Sequence, residues 1–402
     1  MSLRSVRLVL VATAALLVTP SAASAAWTVS PTPNVAGADT YLSAVDCSSA
    51  NSCMAVGFAL FRGSGSEPPL LATVAERWDG KSWQIVPTPD MPSATGISLG
   101  GVSCPRPNVC FAVGGSATPS DSPDLRAPQI ERWDGTSWSH QPSPDVGNGF
   151  LSDVSCSGLR ACTAVGGTFR PGGTDEHTLA ERWDGTGWRV QSAPVPGSDF
   201  DGFFGVSCPL KRTCTAVGAS FPAASPFISP LVERWDGRIN AWGLQAAPKP
   251  AGADGAAFSG VSCPHGPVCF AVGRSVRNIP FVGTPNLTLA ERRAGSSWSV
   301  MPTPNQTPPP QVQVNSELDG VSCPGRRACH AVGDGYGVDP SGTAAFRPIA
   351  EGFDGASWQL ESTPSTGGDT RLSGVSCPNR SFCMAVGSTG DPVATLAAKW
   401  TP

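Results

Sequence analysis

Two cysteines separated by five residues occur seven times along this chain, and no cysteine falls outside the pattern. The pairs are Cys47/Cys53, Cys104/Cys110, Cys156/Cys162, Cys208/Cys214, Cys263/Cys269, Cys323/Cys329 and Cys377/Cys383, and their first members recur every 52 to 60 residues. A period of this length means one supersecondary unit, copied and stacked. Most pairs run into Ala-Val-Gly, as at Ala55-Val56-Gly57. About fifteen variable residues later comes Glu-Arg-Trp-Asp-Gly-x-x-Trp, clearest at Glu76 to Trp83 and Glu131 to Trp138. A Pro-x-Pro segment such as Pro87-Thr88-Pro89 follows.

Each unit reads as four short strands. Strand a is the run before the first cysteine, for example Leu99 to Cys104, and strand b runs from the second cysteine through Ala-Val-Gly. Strand c ends in Glu-Arg-Trp, and strand d begins at the second Trp, as in Trp83-Gln84-Ile85-Val86. The a–b turn is then a five-residue loop pinched by the two cysteines, and Asp-Gly marks the c–d turn as a hairpin. With 46 Gly and 40 Pro in 402 residues, a helical bundle or coiled coil is excluded. Hydrophobic residues at 40% exclude a wholly disordered chain. Short strands on this period read as propeller blades. We therefore expect an all-β, seven-bladed β-propeller of four-stranded antiparallel blades over residues 26–402. The C-terminal Ala398-Lys399-Trp400 aligns with the end of a strand c, and Trp27-Thr28-Val29 with a strand d. Residues 26–33 should thus complete the last blade and close the ring without exposed sheet edges. An open stack would instead want atypical capping repeats at both ends.

Residues 1–25 have the form of a secretory signal. Arg4 and Arg7 precede an apolar run from Leu8 to Val18, too short to span a bilayer, and Ala23-Ser24-Ala25 supplies a cleavage pattern. Cleavage is expected before Ala26, giving a secreted chain with no membrane span. Loss of the two arginines takes the formal charge from −4 to −6. There is no basic field, so nucleic acid is not an expected partner. In an exported chain, an even cysteine count and seven identical spacings point to a disulfide within each pair. Loop entropy makes each worth about 2 kcal/mol. Isolated pairs on separate units do not cluster ligands as a metal site requires. No cofactor is expected.

The twelve Trp all occupy repeat positions and suit packing between blades. The strand-c glutamates, Glu76, Glu131, Glu181, Glu233, Glu291 and Glu351, occupy six of seven units. An active site is needed once, so this series reads as structural.

The stretch Cys110-Phe111-Ala112-Val113-Gly114-Gly115, followed by Glu131-Arg132-Trp133-Asp134-Gly135-Thr136-Ser137-Trp138, resembles a kelch repeat. Such repeats have a strand ending in double Gly, an aromatic-Asp turn, a Trp and a Pro-containing exit. The paired cysteines are not a kelch feature, and the Asp-Gly-x-x-Trp turn also looks like the Asp-box of sialidase propellers. The resemblance implies a propeller of the galactose-oxidase type and no particular activity, since propellers host many functions. Galactose oxidase needs two Tyr, two His and a Cys–Tyr crosslink. This chain has only Tyr41 and Tyr336, and its four His (His140, His177, His265 and His330) fall in different repeats. Sialidases need an arginine triad and a Tyr nucleophile; Phe346-Arg347-Pro348-Ile349 only scrambles one of their motifs.

Turns a–b and c–d share one face and are short and repetitive. Connections b–c and d–a share the other and vary, which is where specificity usually sits. Polar candidates there are Arg62, Asp124, Arg126, Arg170, Asp175, Glu176, His177, Arg274, Arg277, Asp334, Tyr336, Asp339 and Arg347. Phe61, Phe169, Phe227 and Phe281 offer stacking surfaces. Acidic residues approaching strand a, Asp39, Asp199, Asp254 and Asp369, could form a ring of oxygen ligands for Ca²⁺; Asp is also an ordinary turn residue. The leading expectation is a non-catalytic binding scaffold for an extracellular protein or cell-surface glycan. A carbohydrate-active hydrolase or lyase with loop carboxylates is the alternative, and a purely structural envelope or spore component is a third.

Overall fold

The computed structural model describes residues 26–63, 69–89, 96–117, 126–169, 176–194, 200–222, 225–278, 285–304, 315–338, 344–364, 366 and 368–402. The expected signal segment lies outside them. Among the described residues there is no helix, and so none long and apolar enough to cross a membrane.

The first strand, β1 (Ala26–Ser30), precedes the repeats. Unit one holds β2 (Asp39–Ser49), β3 (Ser52–Phe61), β4 (Leu70–Trp78) and β5 (Trp83–Ile85). Unit two holds β6 (Gly96–Arg106), β7 (Val109–Ala117), β8 (Arg126–Trp133) and β9 (Trp138–His140). Unit three holds β10 (Asn148–Gly158), β11 (Ala161–Phe169), β12 (Glu176–Trp183) and β13 (Trp188–Gln191). Unit four holds β14 (Phe200–Leu210), β15 (Thr213–Phe221), β16 (Ser229–Asp236) and β17 (Ala241–Leu244). Unit five holds β18 (Gly255–His265), β19 (Val268–Val276), β20 (Asn286–Ala294) and β21 (Ser297–Met301). Unit six holds β22 (Asn315–Gly325), β23 (Ala328–Val338), β24 (Ala344–Phe353) and β25 (Trp358–Leu360). Unit seven holds β26 (Thr370–Asn379), β27 (Phe382–Thr389) and β28 (Ala394–Thr401).

Consecutive strands within each unit pair antiparallel, and β1 pairs antiparallel with β28 from Ala26↔Thr401 to Ser30↔Ala397. Three four-stranded sheets stand alone, while two eight-stranded sheets each join two units through one parallel contact, Leu71↔Gly96 or Glu176↔Phe200. The architecture is all-β and propeller-like. The first strand of each unit packs on the first strand of the next, and β26 packs on β2. Apolar clusters fill the space between units. Met54 and Val56 of unit one meet Leu99, Val102 and Trp138 of unit two, and Met384 and Val386 of unit seven meet Leu42, Val45 and Trp83 of unit one.

All seven expected disulfides are present, each within one a–b hairpin: Cys47–Cys53, Cys104–Cys110, Cys156–Cys162, Cys208–Cys214, Cys263–Cys269, Cys323–Cys329 and Cys377–Cys383. They suit an extracellular or otherwise oxidising environment. Their place in the hairpin corrects the sequence reading, which ended strand a at the first cysteine and began strand b at the second. Strand a instead continues past each first cysteine, and strand b begins one residue before Cys53, Cys110, Cys162, Cys214, Cys269, Cys329 and Cys383. The five-residue loop is therefore a two-residue turn on an extended ladder, and each disulfide crosses the ladder rather than closing a loop. Cys47 stands directly opposite Cys53, and Cys156 opposite Cys162. The reason is that backbone pairing satisfies amides and carbonyls that a loop would leave to water.

The second cysteines also face strand c. Cys53, Cys110, Cys162, Cys214 and Cys383 stand opposite Trp78, Trp133, Trp183, Trp235 and Trp400, Cys329 opposite Phe353, and Cys269 opposite Arg293. All seven are buried. The residue before each first cysteine then links unit to unit. Ser103 Oγ accepts the amide of Cys156 (3.1 Å), Ser155 that of Cys208 (2.9 Å), and Ser207 that of Cys263 (3.0 Å). Ser262 accepts Cys323 (3.0 Å), Ser322 accepts Cys377 (2.9 Å), and Ser376 accepts Cys47 (2.9 Å). In unit one the acceptor is Asp46, whose Oδ2 takes the Cys104 amide at 2.6 Å. Burial pushes the Asp46 carboxyl above its ordinary range, while that amide and the Ser376 hydroxyl pull it down.

The close approach of first strands dictates small residues. A methyl on Gly101 would come within 2.6 Å of Asp153 Cα, and one on Gly374 within 3.1 Å of Ala44 Cα. The Gly of Ala-Val-Gly faces its own strand a, and a Cβ at Gly333 would overlap the carbonyl oxygen of Glu317. Each strand a bulges at that level, as between Leu318 and Gly320. The residue just before the bulge is always large and apolar: Leu42, Leu99, Leu151, Phe203, Phe258, Leu318 and Leu372, all buried. Eleven of the twelve Trp are buried, with Trp183 the exception. Trp78 and Trp183 of strand c donate to Ala50 O and Leu159 O in the a–b turns. In the c–d turns Asp134 Oδ1 accepts the Thr136 and Ser137 amides at 2.8 and 2.9 Å around Gly135 at φ +102°.

Two substitutions test this account. Gly333→Ala should destabilise the protein by about 3 kcal/mol or more, since no rotamer relieves a backbone overlap. Asp46→Ser, which installs the residue of the other six units, should stabilise it by about 1 kcal/mol. Thermal melts near neutral pH check both.

Candidate functional site

The repeated glutamates are not exposed chemistry. Glu76, Glu131, Glu181, Glu233, Glu291 and Glu351 are all fully buried. Ser143 Oγ donates to Glu181 Oε1 at 2.8 Å, whereas neither oxygen of Glu233 or Glu291 has a partner among the described residues. Burial pushes the carboxyls up to about 8 at Glu76, Glu233, Glu291 and Glu351, and to about 7 at Glu131 and Glu181. They are buried acids pushed towards the neutral form, one in each of units one to six.

What differs between units is concentrated at the end of the first strands opposite the disulfides. There the residue six before the first cysteine faces strand b across a fixed register. The pairs are Tyr41↔Phe58, Ser98↔Gly115, Phe150↔Gly167, Gly202↔Ala219, Ala257↔Arg274, Glu317↔Asp334 and Arg371↔Ser388. No two are alike. Units one to four present small or aromatic residues, and units five to seven present charge.

The charged half is a network. Arg274 Nη1 donates to Glu317 Oε2 at 2.8 Å. Asp334 is buried, and its carboxyl is pushed up to about 6 by burial and the Glu317 charge, against the pull of Arg371. Asp319, at the bulge, is driven well above its ordinary range by burial and then by Glu317 and Asp334; Arg274 and Arg371 oppose the rise. Tyr336 and Phe346 lie 4.9 Å apart at its edge. Asn286, Asn315, Glu317, Asp334, Tyr336 and Phe346 line a cavity of about 210 Å³.

Of the residues singled out in the sequence, Arg274, Asp334 and Tyr336 come together in this network. Arg347 lies beside it in β24, opposite Gly335. Arg62 instead pairs with buried Asp39 at 2.5 Å, and Arg277 donates to Gly252 O and Ala251 O. His177 has both ring nitrogens buried without a partner among the described residues. Arg126 and Glu176 lie in β8 and β12, and their side chains fall outside the described set. Asp124, Arg170, Asp175, Asp199, Phe281 and Asp339 are outside it entirely. Phe61 packs on the core, and the Phe169 ring lies 5.7 Å from that of Phe150, tilted by 30°.

The acids approaching strand a bind local backbone. Asp39 Oδ1 accepts the Val393 amide, Asp254 Oδ2 that of Asn278, and Asp369 Oδ1 that of Phe346. Among the described residues the only cluster of His, Cys, Asp and Glu close enough to hold a metal is His330, Cys377 and Cys383, whose cysteines form a disulfide. Asp39, Asp254 and Asp369 do not converge on one point. Residues missed from the sequence include Glu317, Asp319, Arg371 and the stacked Tyr41–Phe58 pair. The signal for Tyr41, Glu317 and Arg371 was the one strand-a position that differs in every unit.

No protein-family model matches the chain, and no curated protein sequence matches it. Solved structures are similar to it at low sequence identity. "YCF48 bound to D1 peptide" is 12% identical, with 94% of this chain and 95% of that one covered and a TM-score of 0.49. A protein of unknown function from Dyadobacter fermentans is 10% identical over 94% and 98%, with a TM-score of 0.49. A subtype N11 neuraminidase-like protein (H18N11) is 9% identical over 85% and 96%, with a TM-score of 0.47.

The buried glutamates set a pH dependence. Below about pH 4.5 folded and unfolded chains both hold these protons, and burial costs nothing in ionisation. As pH rises towards 8 the unfolded chain ionises first, so stability falls and levels off above the folded values. Glu291→Gln should flatten this slope and raise the melting temperature at pH 8.5 by about 2–4 °C, with little change at pH 4.5. Calorimetry across that range checks it.

Proposed function

We propose that this chain is a secreted, non-catalytic β-propeller of seven kelch-like blades, closed by residues 26–33 on the C-terminal blade. It carries a ligand, an extracellular protein or a cell-surface glycan, on the b–c/d–a face. Closure is supported by the β1–β28 pairing and by the return of the amide-to-side-chain bonds from Ser376 to Cys47. The observation that carries the binding role is the row of seven cross-strand pairs. Every other repeated position is absorbed by packing, turns or disulfides, whereas these vary without exception at one end of a rigid frame. Rigid elements bearing variable side chains are how such frames achieve recognition.

One observation favours the enzyme alternative. Glu317 and Asp334 sit directly across the β22–β23 ladder, and burial pushes the Asp334 carboxyl up to about 6, towards the range in which a general acid or base operates. Two experiments divide the readings. The mature protein should bind a member of a panel of immobilised glycans and extracellular proteins while turning over no chromogenic glycoside. Turnover abolished by Asp334→Asn would instead establish the hydrolase. Deletion of residues 26–33 should lower the melting temperature by about 10 °C or more, because the last blade loses a strand along with Trp27, whose indole donates to Glu361 Oε2 at 2.8 Å. An unchanged melt would refute closure.

A further inference from the structure

Between unit seven and unit one, on the face just described, lies a cavity of about 440 Å³, within the range of small-ligand sites. One wall carries the stacked rings of Tyr41 and Phe58, 4.7 Å apart and 18° from parallel, both half-buried. The other carries Asp369 and Arg371, both exposed and two residues apart on either side of the start of β26. Ser43 and Ser373, at the bulges of the two first strands, add hydroxyls.

A single residue of unit six sets both charged groups. The Phe346 amide donates to Asp369 Oδ1 at 2.9 Å, and the Phe346 ring lies under the Arg371 guanidinium, 3.4 Å from ring centroid to Cζ. A carboxylate and a guanidinium are thus held side by side before any ligand arrives. Long charged side chains on a surface are normally free, and ordering them beforehand removes most of the entropy a ligand would otherwise have to overcome. The aromatic pair opposite offers a flat apolar surface.

We infer that this cavity binds a neutral pyranose unit of an extracellular glycan, without chemistry. Vicinal sugar hydroxyls donate to the Asp369 carboxylate and accept from the Arg371 guanidinium, and the C–H face of the ring packs on Tyr41 and Phe58. Charges of both signs on one wall favour a ligand that offers donors and acceptors together over one that carries a single charge. A uronate would meet Asp369, and a cationic side chain would meet Arg371. This assignment rests on the binding reading above and narrows it to one seam and one ligand class.

The test is binding of the mature protein to arrayed neutral and uronate-containing oligosaccharides, with hits measured by titration calorimetry. Arg371→Ala and Asp369→Asn should each weaken a neutral hit at least tenfold, and Tyr41→Ala at least fivefold. Phe346→Leu should weaken it too, and Lys81→Ala, in an exposed c–d turn away from the cavity, should leave it within twofold. Melting curves confirm that each variant is folded. A neutral hit indifferent to all of Tyr41, Asp369 and Arg371 overturns the cavity and leaves the scaffold standing. Binding of uronates alone overturns the ligand class. Capture of an extracellular protein with no glycan bound overturns the sugar and keeps the scaffold. Failure to bind any panel member overturns both.

Discussion

The first strands of successive units approach so closely that their backbones, not their side chains, meet. An added methyl would overlap the facing backbone at Gly101 against Asp153 and Gly260 against Asp319, and would crowd it at Gly205 against Ser259 and Gly374 against Ala44. That approach brings the amide of each first cysteine within reach of the side chain one unit earlier. Seven such bonds follow one another around the units. Because the first strands are fixed at this spacing, the apolar side chain before each bulge is driven into the space between sheets, and the Trp of strands c and d fill the rest. A buried amide left without an acceptor would cost about 1–3 kcal/mol, so the serine is as much a requirement of the close approach as the glycine is.

The same constraint explains how the protein separates structure from recognition. Repeated positions are bound by packing rules shared by most units, including the glutamates of units one to six, which are buried and unavailable to a ligand. One strand-a position escapes, because it lies beyond the bulge, at the end of the first strands away from the disulfides. Its seven occupants range from Gly202 to Arg371 without disturbing the frame. In the charged side chains that collect in units five to seven, burial raises both Asp319 and Asp334, Glu317 adds to each, and Asp334 adds further to Asp319.

Much of this was legible beforehand. Seven local disulfides, four strands to a unit, the Asp-Gly turns and the pairing of residues 26–30 with the last strand all follow from repeat positions and turn chemistry, which act over a few residues. The strand ends were less legible, because a cysteine marks a crosslink and not the point where backbone pairing stops. The site was less legible still. The polar candidates read from the loops include Arg62 and Arg277, which the structure spends on Asp39 and on the carbonyls of residues 251 and 252. Arg274, Asp334 and Tyr336 were found because they follow Ala-Val-Gly on the way into the variable b–c connections, whereas their partners Glu317, Asp319 and Arg371 were passed over because they stand on strand a, where a charge looks like ordinary alternation.

The sequence by itself determined the unit: its length, its crosslink, its turns, and which residues each copy must bury. These depend on chemistry between near neighbours in the chain. Only the tertiary structure decided which of the differences between copies meet. Phe346, Asp369, Arg371 and Tyr41 belong to three units, and Tyr41 lies more than 300 residues from the others. Nothing in their local context links them; they share a seam because unit seven packs on both unit six and unit one.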